Sequence, residues 1–393
     1  MNRIARIVGF LMGIVGVAAC SPPVMIPEVQ TPLDSVAWQD CASDAQSREG
    51  RSLIDDMTMD SEMLLCQGVV LSNDEARVDE AVEMLTEAAV TDKTDYRAYF
   101  LSGRVLTEAG RYEEALTHFA RAKKRSPQIE VPTVRLGKKV IEQYGDLEAM
   151  VFLQKANRRG LCEYDCKGML AELYHRVDRD ADANALYEEM LAENSDEPEA
   201  YIGLARMHNS KKEFKQEAKL LKKAMKTKGF DELPKEQQAA LYHSRAFALY
   251  NAGEYEDAQK VLSDAMRFKK TAEWSLLSGW IQMKLKDPAM ALIQFEKAVD
   301  QDDKLAPAHV GVGDANKALG NLKDARKAYQ KAVVLAPTDG VIKLKLAAVY
   351  IELKDFDKAK IQLDDAVKLG TDNLPKELLQ EVTDAISVHE KSE

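Results

Sequence analysis

The chain is 393 residues long with a formal net charge of −11, and it is 46% hydrophobic, 30% charged and only 7% aromatic. Its 20 glycines and 12 prolines are too few for a collagen-like or low-complexity chain, and its 5 cysteines too few for a disulfide-built mini-domain. The acidic balance argues against general nucleic-acid binding without a local basic patch, and the apolar content suffices for a core.

The first element is Met1 to Cys20. Arg3 and Arg6 precede an uncharged apolar run from Ile7 to Ala19, the layout of a secretory signal. At ~1.5 Å per residue this run is too short to cross a hydrocarbon layer of ~30 Å as a helix. Val17-Ala18-Ala19-Cys20 resembles the bacterial lipobox. That resemblance implies cleavage before Cys20, acylation of its sulfur and its new amine, and stable membrane anchoring by several acyl chains. Ser21 in the next position resembles the default for export to the outer membrane. The expectation is therefore a lipid-anchored protein on the outer membrane, facing the periplasm. Residues 1–19 form the signal peptide, and 20–32 the acylated cysteine with a tether stiffened by Pro22, Pro23, Pro27 and Pro32. Loss of Arg3 and Arg6 takes the net charge from −11 to −13. Residues 33–60 follow as an N-terminal cap segment with Val36, Trp38, Leu53 and Ile54 inward.

With Cys20 assigned to lipid, Cys41, Cys66, Cys162 and Cys166 remain, an even number for an oxidising compartment. The expected pairs are Cys162–Cys166, four residues apart, and Cys41–Cys66, although four cysteines allow three connectivities. Cys162, Cys166 and His175, with Asp165, form the one metal-like group, but zinc sites favour tighter cysteine pairs and four ligands.

From residue 61 onward the chain repeats itself. A first ladder reads Val69, Gly103, Gly137, Ala171, Ala205, Ala246, Gly279, Gly313, Ala347, with steps from Gly103 of 34, 34, 34, 41, 33, 34 and 34. A second reads Ala81, Ala115, Ala149, Ala183, Glu217 beside Ala218, Ala258, Ala291, Ala325, Ala359. A third, seven residues further on, runs Ala88, Ala122, Ala156, Met190, Ala224, Ala265, Ala298, Ala332, Ala366. Between the last two stands a bulky column: Leu85, Phe119, Leu153, Tyr187, Leu221, Leu262, Phe295, Tyr329, Leu363. Small residues mark close helix crossings, and a bulky residue four positions on fills the space beside each crossing. Gly110, Gly145, Gly253 and Gly320 mark the turns between paired helices, and Pro127 and Pro337 follow second helices.

These ladders resemble the tetratricopeptide repeat, a helix–turn–helix unit of 34 residues. The resemblance implies an all-α fold: a right-handed α-solenoid of about nine units ending in a capping helix. Units 1–5 span 61–228 and units 6–9 span 229–370, after a loop inserted at Lys228 to Pro234. The capping helix spans 371–393, with Leu378, Leu379, Val382 and Ile386 at helical spacing.

Motifs for catalysis are missing from the sequence. Its six histidines make no HExxH pair, and there is no GxGxxG, GxxxxGK[ST] or GxSxG. The leading expectation is a non-enzymatic scaffold, without cofactor, that binds partner proteins on the concave face formed by first helices. By resemblance, such lipoproteins assist assembly of envelope machinery for secretion, pili, outer-membrane insertion or polysaccharide export. Register places Arg97, Phe100, Arg104, Lys138, Ile141, Glu172 and His175 on that face early in the chain. His243, Phe247, Tyr250, Asn251, Leu276, Trp280 and Met283 follow later, a more aromatic set suited to a peptide segment. Chaperone-binding relatives clamp a peptide carboxylate with lysine, but the matching places, Phe100, Val134, Gly168, Ile202, His243 and Leu276, hold none. The alternatives are a glycan-facing adaptor with Trp280 as a stacking platform and, more remotely, a zinc enzyme at Cys162, Cys166 and His175.

Overall fold

A computed structural model describes residues 61–392 except positions 73 and 269. The signal, tether and N-terminal cap readings, with Cys20 and Cys41, lie outside the described residues. Those described form helices and connecting turns, with no strand among them. The chain divides into two compact units, meeting between Met207 and His208.

The N-terminal unit holds α1 (Ser61–Leu71), α2 (Val78–Thr91), α3 (Arg97–Glu108), α4 (Tyr112–Arg125), α5 (Thr133–Tyr144), α6 (Asp146–Arg158), α7 (Tyr164–Arg176) and α8 (Asp180–Glu193). Helix α9 (Glu199–Ser210) crosses the boundary. The C-terminal unit continues with α10 (Phe214–Ala224), α11 (Lys228–Glu232), α12 (Lys235–Ala252), α13 (Tyr255–Phe268), α14 (Ala272–Lys284), α15 (Pro288–Gln301), α16 (Ala306–Ala318), α17 (Leu322–Leu335), α18 (Gly340–Glu352), α19 (Phe356–Lys368) and α20 (Lys376–Ser392). Apart from α11 and α20 these helices follow one another in helix–turn–helix order, and within each unit they pack as an α-solenoid.

The ladders explain this packing. All eight alanines of the second ladder and every residue of the third are fully buried. A Cβ added to Gly279 would stand 2.4 Å from Phe295, and one added to Gly311 of the next pair would also stand 2.4 Å from it. Phe295 is thus clasped between the backbones of α14 and α16, an approach that only a residue without a side chain allows. In the first pair Val69, the ladder position, packs against the cluster that holds Leu85, and its neighbour Gly68 also approaches closely, since a Cβ added there would stand 2.5 Å from Leu85.

Seven of the turns inside pairs share one geometry. Gly110, Asp178, Lys212, Gly253, Lys286, Gly320 and Lys354 all have positive φ. The amide after each donates to a carbonyl five residues earlier at 2.7–3.0 Å, closing the first helix in a Schellman-type stop. Helix starts are fixed by side chains: Thr271, Asp287, Asp339 and Asp355 accept from amides of α14, α15, α18 and α19.

The inserted segment belongs to the C-terminal unit. It forms α11, buries Phe230 and is pinned by Gln238, whose Nε2 donates to the carbonyls of Asp231 and Leu233. At the end of the chain α20 lies on α18 and α19, with Leu374, Val382 and Ile386 buried. Cys162 and Cys166 are joined by a disulfide at the start of α7, with a Cα separation of 5.0 Å. Cys66 in α1 is disulfide-bonded, and Cys41, expected as its partner, lies outside the described residues.

Candidate functional site

The C-terminal unit carries a cleft of about 480 Å³ lined by Tyr250, Trp280, Met283, Lys284, Asp314, Lys317, Ala318 and Lys345. All eight come from the first helices of four successive pairs, α12, α14, α16 and α18. Counted from the first ladder, Trp280 and Asp314 are equivalent positions, as are Tyr250, Met283 and Lys317, and Lys284 and Ala318. One stripe of the repeat therefore becomes one wall of the cleft.

Its floor is apolar and largely internal. Tyr250 and Trp280 are each 6% exposed, so they offer edges rather than faces. Trp280 packs edge-on against Phe295 with ring centres 4.8 Å apart. Its buried Nε1–H has no acceptor among the described residues. Burial, with Tyr255 nearby, pushes the Tyr250 hydroxyl up to about 12, so it remains a neutral donor at physiological pH.

The rim is charged. Asp314 accepts from Lys345 Nζ at 2.7 and 2.5 Å and also from the buried Tyr329 hydroxyl. Burial and the Asp314 carboxylate hold the Tyr329 hydroxyl well above the usual tyrosine range, which keeps it a donor. Lys317 pairs with Glu352 at 2.9 Å. Lys284 is exposed at the mouth.

Of the seven later residues expected on this face, the structure brings Tyr250, Trp280 and Met283 together in the cleft. Leu276 is instead a core residue, 4% exposed. Phe247 packs half-buried against the core. His243 stacks on Trp274 at 5.4 Å, and burial pushes its imidazole down to about 4, so it is neutral. Asn251 donates to the Phe247 carbonyl of its own helix and lines a separate cleft of about 340 Å³ with Lys212 to Gln216 and Ala252. These departures share one cause. A first helix is gripped by neighbours on two sides, so its apolar positions are consumed by packing and its open stripe falls to polar residues. Lys284, Asp314, Lys317 and Lys345 escaped sequence reading for that reason, although their equivalent repeat positions were a usable signal.

In the N-terminal unit Phe100 is buried against Phe119, Arg97 is held by Asp95 at 2.8 Å, and Glu172 pairs with Arg206 at 3.4 Å. Arg104 and Lys138 are exposed and Ile141 is half-buried. His175 bonds Asp180 at 2.6 Å, and the described residues contain no group of three or more side chains suited to holding a metal. With both sulfurs in a disulfide, Cys162 and Cys166 present no thiolates for zinc.

Two family models described as tetratricopeptide repeat match the chain, over residues 74–128 and 317–380. No curated protein matches it. Among solved structures, the C-terminal part of a TPR repeat-containing protein from Cytophaga hutchinsonii is 15% identical. That alignment covers 64% of this chain and 98% of that one, with a TM-score of 0.50. YrrB, described as a TPR protein with an unusual peptide-binding site, is 18% identical over 50% of this chain and 97% of its own, with a TM-score of 0.40. MamA from Desulfovibrio magneticus RS-1 is 20% identical over 44% of this chain and 94% of its own, also at 0.40. Residues 74–128 and 317–380 thus match tetratricopeptide repeat models, one stretch in each unit, and the described helices share the fold of helix–turn–helix repeats.

Proposed function

We propose that the chain is a non-enzymatic scaffold that holds a segment of a partner protein against the first helices of its C-terminal unit. We infer further that a lipid on Cys20 tethers it to the outer membrane, facing the periplasm, where it assists assembly of an envelope complex. The observation that carries the binding role is the cleft between α12, α14, α16 and α18, with its apolar floor and charged rim. A concave, mostly apolar site with a few placed polar groups is the form that recognition sites take. The lipobox-like Val17-Ala18-Ala19-Cys20 supports the tether. Glycan stacking is less well supported, because a sugar needs an open aromatic face and Trp280 is 6% exposed.

Two substitutions test the two halves. Cys20→Ser should leave the protein unprocessed or move it from the membrane fraction to the soluble one; mature-sized protein still in the membrane fraction contradicts the tether. Met283→Glu, at a half-buried position on the cleft floor, should reduce recovery of crosslinked partners from intact cells at least about tenfold while leaving helix content unchanged. Equal recovery contradicts the cleft as the binding surface.

A further inference from the structure

The cleft also carries information about what it holds. Its four charged side chains are three lysines and one aspartate, on a chain whose net charge is −11. Asp314 is already satisfied, because Lys345 takes both of its oxygens and the Tyr329 hydroxyl donates to one of them. Lys345 is spent in the same contact. Lys317 and Lys284 remain as the available cations. Lys317 is bound to Glu352, but both side chains are about a third or more exposed, at 34% and 42%. Exposed pairs of this kind contribute ~0–1 kcal/mol, so an incoming carboxylate can replace Glu352 at little cost. Lys284 has no ion pair among the described residues and stands one residue from Met283 on α14. Lys284 and Lys317 therefore present positive charge beside a floor formed by Met283 and the edges of Tyr250 and Trp280.

We propose that, if the scaffold reading holds, the segment bound here is an acidic peptide segment. One apolar side chain of that segment rests on Met283 between Tyr250 and Trp280, and flanking carboxylates pair with Lys284 and Lys317. Complementary charge in a cleft steers encounter and rejects wrong partners more than it adds affinity. The rim's surplus of positive charge, Lys284 without an ion pair among the described residues and Lys317 in an exposed one, selects for acid, while the acidic remainder of the chain keeps the same segment from settling elsewhere. A basic segment would meet Lys284 without compensation and gain nothing from Lys317, whose charge Glu352 already offsets. The orphaned Trp280 Nε1–H gives the occupant a further role. A small tilt of the indole lets it donate to a carbonyl or carboxylate of the guest, relieving a buried donor that otherwise has no acceptor. This recognition uses carboxylates along a segment, and so differs from the lysine clamp on a chain terminus whose positions here hold no lysine.

A random peptide library displayed on phage, panned against the full chain and its Lys284→Glu/Lys317→Glu variant, tests the proposal. The wild type should enrich peptides in which Asp or Glu flanks Leu, Ile, Met or Phe. The best of these, made synthetically, should bind the double variant at least about tenfold more weakly, and should weaken on the wild type as salt rises. The milder Lys284→Gln/Lys317→Gln variant should show an intermediate loss, and circular dichroism should report unchanged helix content for both. Enrichment of neutral or basic peptides, or equal affinity for the double variant, overturns the acidic-segment proposal and leaves the scaffold reading standing. Displacement of the peptide by a sulfated polysaccharide or by anionic vesicles at equal charge overturns the requirement for a peptide. Failure to enrich any peptide overturns both the proposal and the cleft as a protein-binding surface.

Discussion

Glu217 occupies a place that the eight equivalent positions fill with alanine. It is 5% exposed and accepts a hydrogen bond from Asn209 Nδ2 at 2.9 Å. Burial pushes its carboxyl up to about 7, the Asn209 bond offsetting only part of that. The folded state therefore keeps a proton that the unfolded chain releases near the ordinary glutamate value of 4.5. This group's contribution to stability is fully present below that value and is lost as pH rises to about 7. Glu217→Gln preserves the shape and the acceptor for Asn209 but cannot ionise. Urea unfolding should show the variant level with the wild type at pH 4 and more stable at pH 8 by about 1–3 kcal/mol. A constant difference across that range would remove the buried ionisation from the account. The anomaly at this site was legible in the sequence as a broken ladder. Its consequence was not, since only the packed neighbourhood shows that the carboxyl is enclosed.

At the scale of elements, the turn inside each pair carries a conformational demand that its residues meet unevenly. Gly110, Gly253 and Gly320 adopt positive φ without a Cβ penalty, whereas Asp178, Lys212, Lys286 and Lys354 adopt it with one. Lys286, with φ of 63° and an exposed side chain, is the simplest to test. Lys286→Gly should stabilise the C-terminal unit by about 0.5–1 kcal/mol, because relief of the left-handed strain exceeds the extra entropy that glycine loses on folding. Thermal unfolding reads this directly, and a lower midpoint would contradict it. Helix pairs were legible in the sequence because period, small residues and bulky columns all repeat in one register, so each unit corroborates the next. The turns were legible only where glycine marks them. Lysine at Lys212, Lys286 and Lys354 reads as ordinary solvated sequence, and the hydrogen bond from the following amide is what reveals the shared stop.

At the scale of the whole molecule, the proposed binding role depends on which stripe of the first helices stays open. Aromatic residues on first helices suggested a groove in the sequence, and Tyr250, Trp280 and Met283 do meet there. Their exposure was overestimated, because burial between neighbouring repeats and exposure in a groove use the same residue types. The charged half of the cleft was illegible for the converse reason, since a lysine on a helix face reads as solvated until a neighbouring helix places it beside an apolar floor. The central claim is that this cleft of the C-terminal unit receives an acidic segment of a partner protein. The most direct measurement replaces Met283 with a photoreactive benzoylphenylalanine in the full chain, irradiates intact cells of the native host and identifies the crosslinked peptide by mass spectrometry. The account predicts an adduct whose attached peptide carries Asp or Glu beside an apolar residue, and its loss when Lys284 and Lys317 are both changed to Glu. No adduct at Met283, or an adduct to a basic or neutral segment that survives the double change, would contradict it.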